Sequence, residues 1–95
     1  MKIHGQYCGP NWTHGRAVPA KDYDKYPEVQ PIDRLDAACQ AHDKDCSQGG
    51  CSQKGDLALR DVALAVAVSS PDIQLRATAA LIAAAMEAVA PTRRR

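Results

Sequence analysis

Asp33-Arg34-Leu35-Asp36-Ala37-Ala38-Cys39-Gln40-Ala41-His42-Asp43-Lys44-Asp45-Cys46 has the spacing of one helix. Leu35, Ala38, Cys39 and His42 recur at i, i+3, i+4 and i+7, which places them on a single face. Asp33 suits the N-cap, and Asp36 in the first turn favours the positive end of the helix dipole. Gly49-Gly50 then ends the helix. His42 is therefore predicted to point inward with the apolar stripe. Neighbouring side chains on a helix diverge by about 100°. Asp43 thus faces another way, and the pair can do two jobs from one rigid element: the histidine moves a proton while the carboxylate holds a cation.

On the C-terminal side, a second helix is predicted from Gln53 to Val68, capped by Ser52 and apolar nearly all round. Such a helix is usually covered on more than one side. Ser69-Ser70-Pro71-Asp72 stops it and starts a third, with Ser70 as cap and Pro71 in the first helical position. That helix runs to Val89, before Pro91. With caps included, the predicted spans are 33–47, 53–68 and 71–89. A short loop makes the first two antiparallel. Folding about residue 50 brings His42 near residue 58, so Asp56 and Leu59 are its expected neighbours. An acid beside an inward histidine fixes the tautomer and stabilises the imidazolium. On the N-terminal side, glycines and prolines interrupt residues 1–31, which read as an irregular loop with a short 3₁₀ turn. A long ordered loop in a small domain is usually functional. The expected architecture is a single all-α domain over residues 1–95.

A chain of 95 residues has a thin stability margin, so cross-links or a bound ion would help it. Its four cysteines, Cys8, Cys39, Cys46 and Cys51, favour two disulfides and an oxidising compartment, with three pairings open. A net charge of +1 argues against a nucleic-acid binder. Arg93-Arg94-Arg95 reads as a solvated, frayed tail; its alternative is attraction to anionic headgroups at about 1 kcal/mol per residue. Met1-Lys2-Ile3-His4 lacks the apolar core of a signal peptide. The apolar run Ala79–Ala85 is too short to cross a bilayer, and Glu87 follows it, so peripheral rather than transmembrane attachment is expected.

These residues suggest a hydrolytic site without a covalent nucleophile. His42 would be the general base on a water, and Asp56 would orient the imidazole. Asp43 would bind a hard cation such as calcium, which favours oxygen ligands. Residues Tyr7 to Asn11 would add backbone carbonyls, and their amides would face a developing oxyanion.

Two segments carry a family resemblance. Tyr7-Cys8-Gly9-Pro10-Asn11 resembles the calcium loop of secreted phospholipase A2, Tyr-Cys-Gly-x-Gly. Asp36-Ala37-Ala38-Cys39-Gln40-Ala41-His42-Asp43 resembles its active-site helix, Asp-x-Cys-Cys-x-x-His-Asp. The short length looks like that of compact microbial or viral-type members. The resemblance implies a small phospholipase A2-like fold, with two antiparallel disulfide-linked helices, a third helix and an N-terminal calcium loop. It implies a Cys8–Cys39 disulfide, which leaves Cys46–Cys51 to close a tight loop. Ca²⁺ would be held by the carbonyls of Tyr7, Gly9 and Asn11 and the carboxylate of Asp43. The Gly9 amide would be an oxyanion donor, and Asp56 the partner acid of His42. The implied reaction is hydrolysis of the sn-2 ester of a glycerophospholipid by a secreted protein at a membrane surface. The chain departs from the pattern at Asn11 in place of glycine, at Ala38 in place of the first paired cysteine, and at Cys46 where many members carry a supporting tyrosine.

Rival readings are a non-catalytic phospholipase A2-like module that binds lipid or protein, and a structural zinc site built from Cys39, His42, Cys46 and Cys51. Trp12, the only tryptophan, is a candidate interfacial anchor; Tyr23 and Tyr26 are lesser ones. His4 and His14 show no partner in the sequence. Asp61 competes with Asp56 but is expected to pair with a basic side chain, and Lys44 and Asp45 are expected to face solvent.

Overall fold

A computed structural model describes residues 1–95. Three helices carry the chain: α1 (Arg34–Cys46), α2 (Gln53–Ser69) and α3 (Ile73–Val89). There is no strand, only isolated bridges between His4 and Cys8 and between Thr13 and Arg16. Short 3₁₀ turns occupy Ala20–Lys25 and Ala90–Thr92. The all-α expectation holds. Both early caps are as the sequence implies, with Asp33 accepting from the Asp36 N–H and Ser52 from the Gly55 N–H.

The start of the third helix differs from the expected 71. Asp72, not Ser70, is its cap, taking the N–H groups of Gln74 and Leu75. Ser70 Oγ instead accepts the Asp72 N–H, and Oδ1 of Asp72 takes both orphan amides, so the helix begins two residues later. The preceding helix also runs one residue past the expected Val68, to Ser69.

Helices α1 and α2 run antiparallel, pairing Asp45 with Ser52 and His42 with Asp56 in opposite order along the chain. Helix α3 packs on α2. The core joins Leu35 and Cys39 of α1, Leu59, Ala63 and Val66 of α2, and Ala79, Ile82 and Ala83 of α3 to Tyr7, Cys8 and Tyr23 of the N-terminal region. Helix α1 is buried on more than its apolar stripe, because Asp36 and Asp43 are also enclosed. The apolar stretch in the C-terminal third is longer than the Ala79–Ala85 run. Ile73–Thr92 has the length and mean hydropathy (1.4) of a membrane-crossing helix, because alanines between its large side chains keep the average high. Here its inner stripe packs against α2, and Ile73 and Leu81 are exposed.

A buried carboxylate fixes the N-terminal region. Asp36, with no exposed surface, accepts from the backbone N–H groups of Gln6, Tyr7 and Ile32 at 2.9–3.1 Å. Gly5 sits directly over this carboxylate at φ +60, where any Cβ would collide with it. The Cys8–Cys39 disulfide adds a covalent tie one helical turn further on. Behind the loop, His14 bonds the Tyr23 carbonyl at 2.7 Å and stacks among Tyr7, Tyr23 and Tyr26. His4 pairs with Asp33 at 2.7 Å. Both histidines act as structural pins.

Candidate active site

His42 and Asp56 meet across the α1–α2 interface. Nε2 of His42 lies 2.6 Å from Oδ1 of Asp56, which has no exposed surface. A carboxylate can only accept, so Nε2 carries the hydrogen and the Nδ1 lone pair is left free for a proton. The Cys46 sulfur, one turn along α1 and bonded to Cys51, rests 3.8 Å from both ring nitrogens. It contributes packing against the ring without a hydrogen bond to Asp56.

The support for Asp56 comes from the C-terminus. Nε of Arg93 donates to Oδ2 of Asp56 at 2.6 Å, and Nη2 lies 3.5 Å from Oδ1. Arg95 reaches the carbonyls of Asp45 and Gly50, and its own carbonyl accepts from the Gln53 N–H at 3.0 Å. The expected frayed arginine tail is thus folded against the helix pair, because buried and half-buried carboxylates on α1 and α2 offer it counter-charge. Only Arg94 is left to solvent without an ion pair. Asp45 also departs from its expected exposure. Desolvation works to raise its carboxyl, but hydrogen bonds from the Ser52 N–H and hydroxyl and the nearby Arg95 outweigh it and hold it below the usual range.

Asp43 points into a different environment. It is 6% exposed, and Oδ2 is buried without a hydrogen-bond partner. Burial pushes its carboxyl up to about 8; the neighbouring Thr13 hydroxyl offsets part of this but falls short of a hydrogen bond, since Thr13 Oγ1 is itself unpartnered. Nearby Asp36 adds repulsion. Such an orphan is costly, and a bound cation would relieve it.

One cleft of about 630 Å³ gathers these groups. Tyr7, Gly9, Pro10 and Asn11 line it from the loop, His42 and Asp43 from α1, Leu59 from α2, Leu81, Ile82 and Met86 from α3, and Arg93 from the tail. The carbonyls of Tyr7, Gly9 and Asn11 accept no hydrogen bond within the chain, and the Gly9 N–H donates none. The Pro10 carbonyl between them is taken by the Met1 ammonium. Asn11 holds φ +50, so asparagine adopts here the left-handed backbone that glycine would otherwise supply. All four residues expected to bind calcium therefore border one cavity. The orphan oxygen, the three free carbonyls and the absence of any competing ammonium or guanidinium on Asp43 fit a hard, oxygen-seeking cation.

The zinc alternative does not fit. His42, Cys46 and Cys51 present ligand atoms within 4.8 Å of one another, but the two sulfurs are bonded to each other and no cysteine is free. Zinc binds cysteine only as the thiolate, which a disulfide does not offer. Trp12 is half-buried with its indole N–H on the Gly5 carbonyl at 3.1 Å, and it does not line the cleft. Asp61 pairs with Arg60, away from His42.

Among the residues brought together, Arg93 is the one that sequence reasoning misses. Its separation of 37 residues from Asp56 leaves no local pattern to read; the only signal is a buried acid in need of a base. Comparison with known protein families, curated proteins and solved structures finds no match to this chain.

Proposed function

We propose that this chain is a calcium-dependent hydrolase of the phospholipase A2 type, cleaving the sn-2 ester of a glycerophospholipid to a fatty acid and a lysophospholipid. One observation carries the reading. The His42–Asp56 pair, 2.6 Å apart, opens on the same cleft as the partnerless Asp43 carboxylate and the free carbonyls of the Tyr7–Asn11 loop.

In this mechanism Nδ1 of His42 takes a proton from a water as its oxygen attacks the ester carbonyl. Asp56 holds Nε2–H and stabilises the imidazolium. The Gly9 N–H donates to the oxyanion. Collapse of the tetrahedral intermediate expels the lysophospholipid alkoxide, which recovers the proton from His42. Calcium bound by Asp43 and the carbonyls of Tyr7, Gly9 and Asn11 would polarise the ester carbonyl and neutralise part of the oxyanion charge. Leu59, Leu81, Ile82 and Met86 supply an apolar wall for an acyl chain. Exposed Ile3 and Leu81 at the cleft suit peripheral contact with a phospholipid surface, and the two disulfides are compatible with an extracellular protein.

A non-catalytic lipid- or protein-binding module is the alternative. The cleft weighs against it, because His42 lines the same cavity as the partnerless Asp43 carboxylate. The deciding experiment is fatty-acid release from mixed liposomes, with calcium and with a chelator. Release that requires both calcium and His42 is expected. Full activity in His42→Ala would remove the mechanism, and a protein inert towards lipid under all conditions would favour the binding module.

A further inference from the structure

We propose that Arg93 is the positioning residue of the His42–Asp56 pair, standing in for the supporting side chain that Cys46 does not provide. The proposal rests on the hydrolytic reading for its kinetic test only. Asp56 is wholly enclosed, and its two oxygens divide their partners: Oδ1 takes His42 Nε2 at 2.6 Å and Oδ2 takes Arg93 Nε at 2.6 Å. A buried carboxylate with one partner is free to rotate about its Cβ–Cγ bond. A rotated carboxylate no longer meets the Nε2–H squarely, so the hydrogen is free to move to Nδ1 and leave the wrong nitrogen basic. The guanidinium removes that freedom, because its directional N–H fixes the carboxylate plane.

The backbone around this arginine is itself tethered. The Ala90 carbonyl accepts from Gln53 Nε2 at 3.1 Å and the Arg95 carbonyl from Gln53 N at 3.0 Å. Arg93 is therefore held on both sides to the first residue of α2, the helix that carries Asp56. Part of its side chain lines the cleft beside His42, so small cations can reach the space it fills.

The test uses the full chain as Arg93→Ala, Arg93→Gln and Arg93→Lys, with guanidinium added at sub-denaturing, millimolar concentration. The ring ¹⁵N spectrum of His42 reports its tautomer without any substrate. We expect wild type to show one tautomer, with hydrogen on Nε2, and Arg93→Ala and Arg93→Gln to show a mixture. In liposome hydrolysis the same two variants should lose kcat on the order of 10²-fold, with KM within about 2-fold, because misorientation of a base costs that much. Arg93→Lys should recover part of the loss, and guanidinium should recover part of it in Arg93→Ala alone. A single wild-type tautomer in Arg93→Ala or Arg93→Gln would overturn the proposal, as would undiminished kcat. If wild type proves inert towards lipid, the hydrolytic reading falls while the tautomer spectra still decide the role of Arg93. Should Arg93→Ala not fold, Arg93→Gln, which keeps the side-chain bulk, carries both readouts.

Discussion

Replacing Asp43 by asparagine separates the cost of this carboxylate from its use. In the cation-free fold its carboxyl is held at about 8 by burial, against an ordinary value of 3.8. Between those values the folded protein keeps a proton that the unfolded chain releases. Stability from this group is therefore fully present below pH 3.8, falls as pH rises, and is lost above about 8. The slope is at most about 1.4 kcal/mol per pH unit, or up to about 2.7 kcal/mol between pH 5 and 7. Relaxation of the cleft reduces that figure, and for a domain of this size it corresponds to a fall in Tm on the order of 10 °C. The substituted amide would be neutral at every pH and would occupy the same volume. Thermal unfolding of both proteins in chelator from pH 5 to 8 gives the difference directly, with other titrating groups cancelling. The Asp43→Asn protein should gain on wild type as pH rises. Calcium at about 100 times its dissociation constant should then restore about 2.7 kcal/mol to wild type at pH 8, and almost nothing to the variant. A Tm difference that stays flat across the range, with calcium shifting both proteins alike, would refute the assignment of Asp43 as a buried cation ligand.

His42→Ala should leave the fold intact, judged by far-UV circular dichroism, while lipid hydrolysis drops by about 10²–10⁴-fold, the usual yield of a general base. Asp36→Ala strands three amide donors at the base of the loop; the expected loss is about 3–5 kcal/mol in denaturant unfolding, with calcium binding lost in parallel. Removing Cys8 and Cys39 together opens a loop of sequence separation 31, and removing Cys46 and Cys51 one of separation 5. Chain entropy gives about 3.7 and about 2.2 kcal/mol respectively, so paired serine variants should rank in that order by urea midpoint.

The helices were readable because their signals are local. Caps at Asp33 and Ser52, the glycine pair after α1 and the apolar spacing of Leu35, Ala38, Cys39 and His42 each lie within a few residues of what they govern. Antiparallel packing then sufficed to foresee Asp56 beside His42, as seen at 2.6 Å. Asp72 displaced Ser70 as a cap because the Ser70 hydroxyl takes the Asp72 N–H, a choice between adjacent capping residues that their order does not rank. The docked arginines, the Ser52 contact of Asp45 and the Tyr23 contact of His14 depend on segments meeting in space. A run of three arginines reads as solvated until the buried carboxylate it neutralises is known. Asp43 was expected to hold a cation from its place beside His42 on the helix; its orphaned oxygen is a property of the packed interior.

Helix α1 grips the N-terminal segment at two points, Asp36 on the amides of residues 6 and 7 and Cys39 on Cys8. Together they work like the teeth of a ratchet, setting the phase of everything that follows up to Asn11. One residue inserted between Cys8 and Asn11 would leave both grips closed and still carry the Asn11 carbonyl about 3.4 Å from its present place. Drift in chain length should therefore be barred from that short stretch, and also from residue 29, whose N–H and carbonyl are both held by the buried Tyr7 hydroxyl.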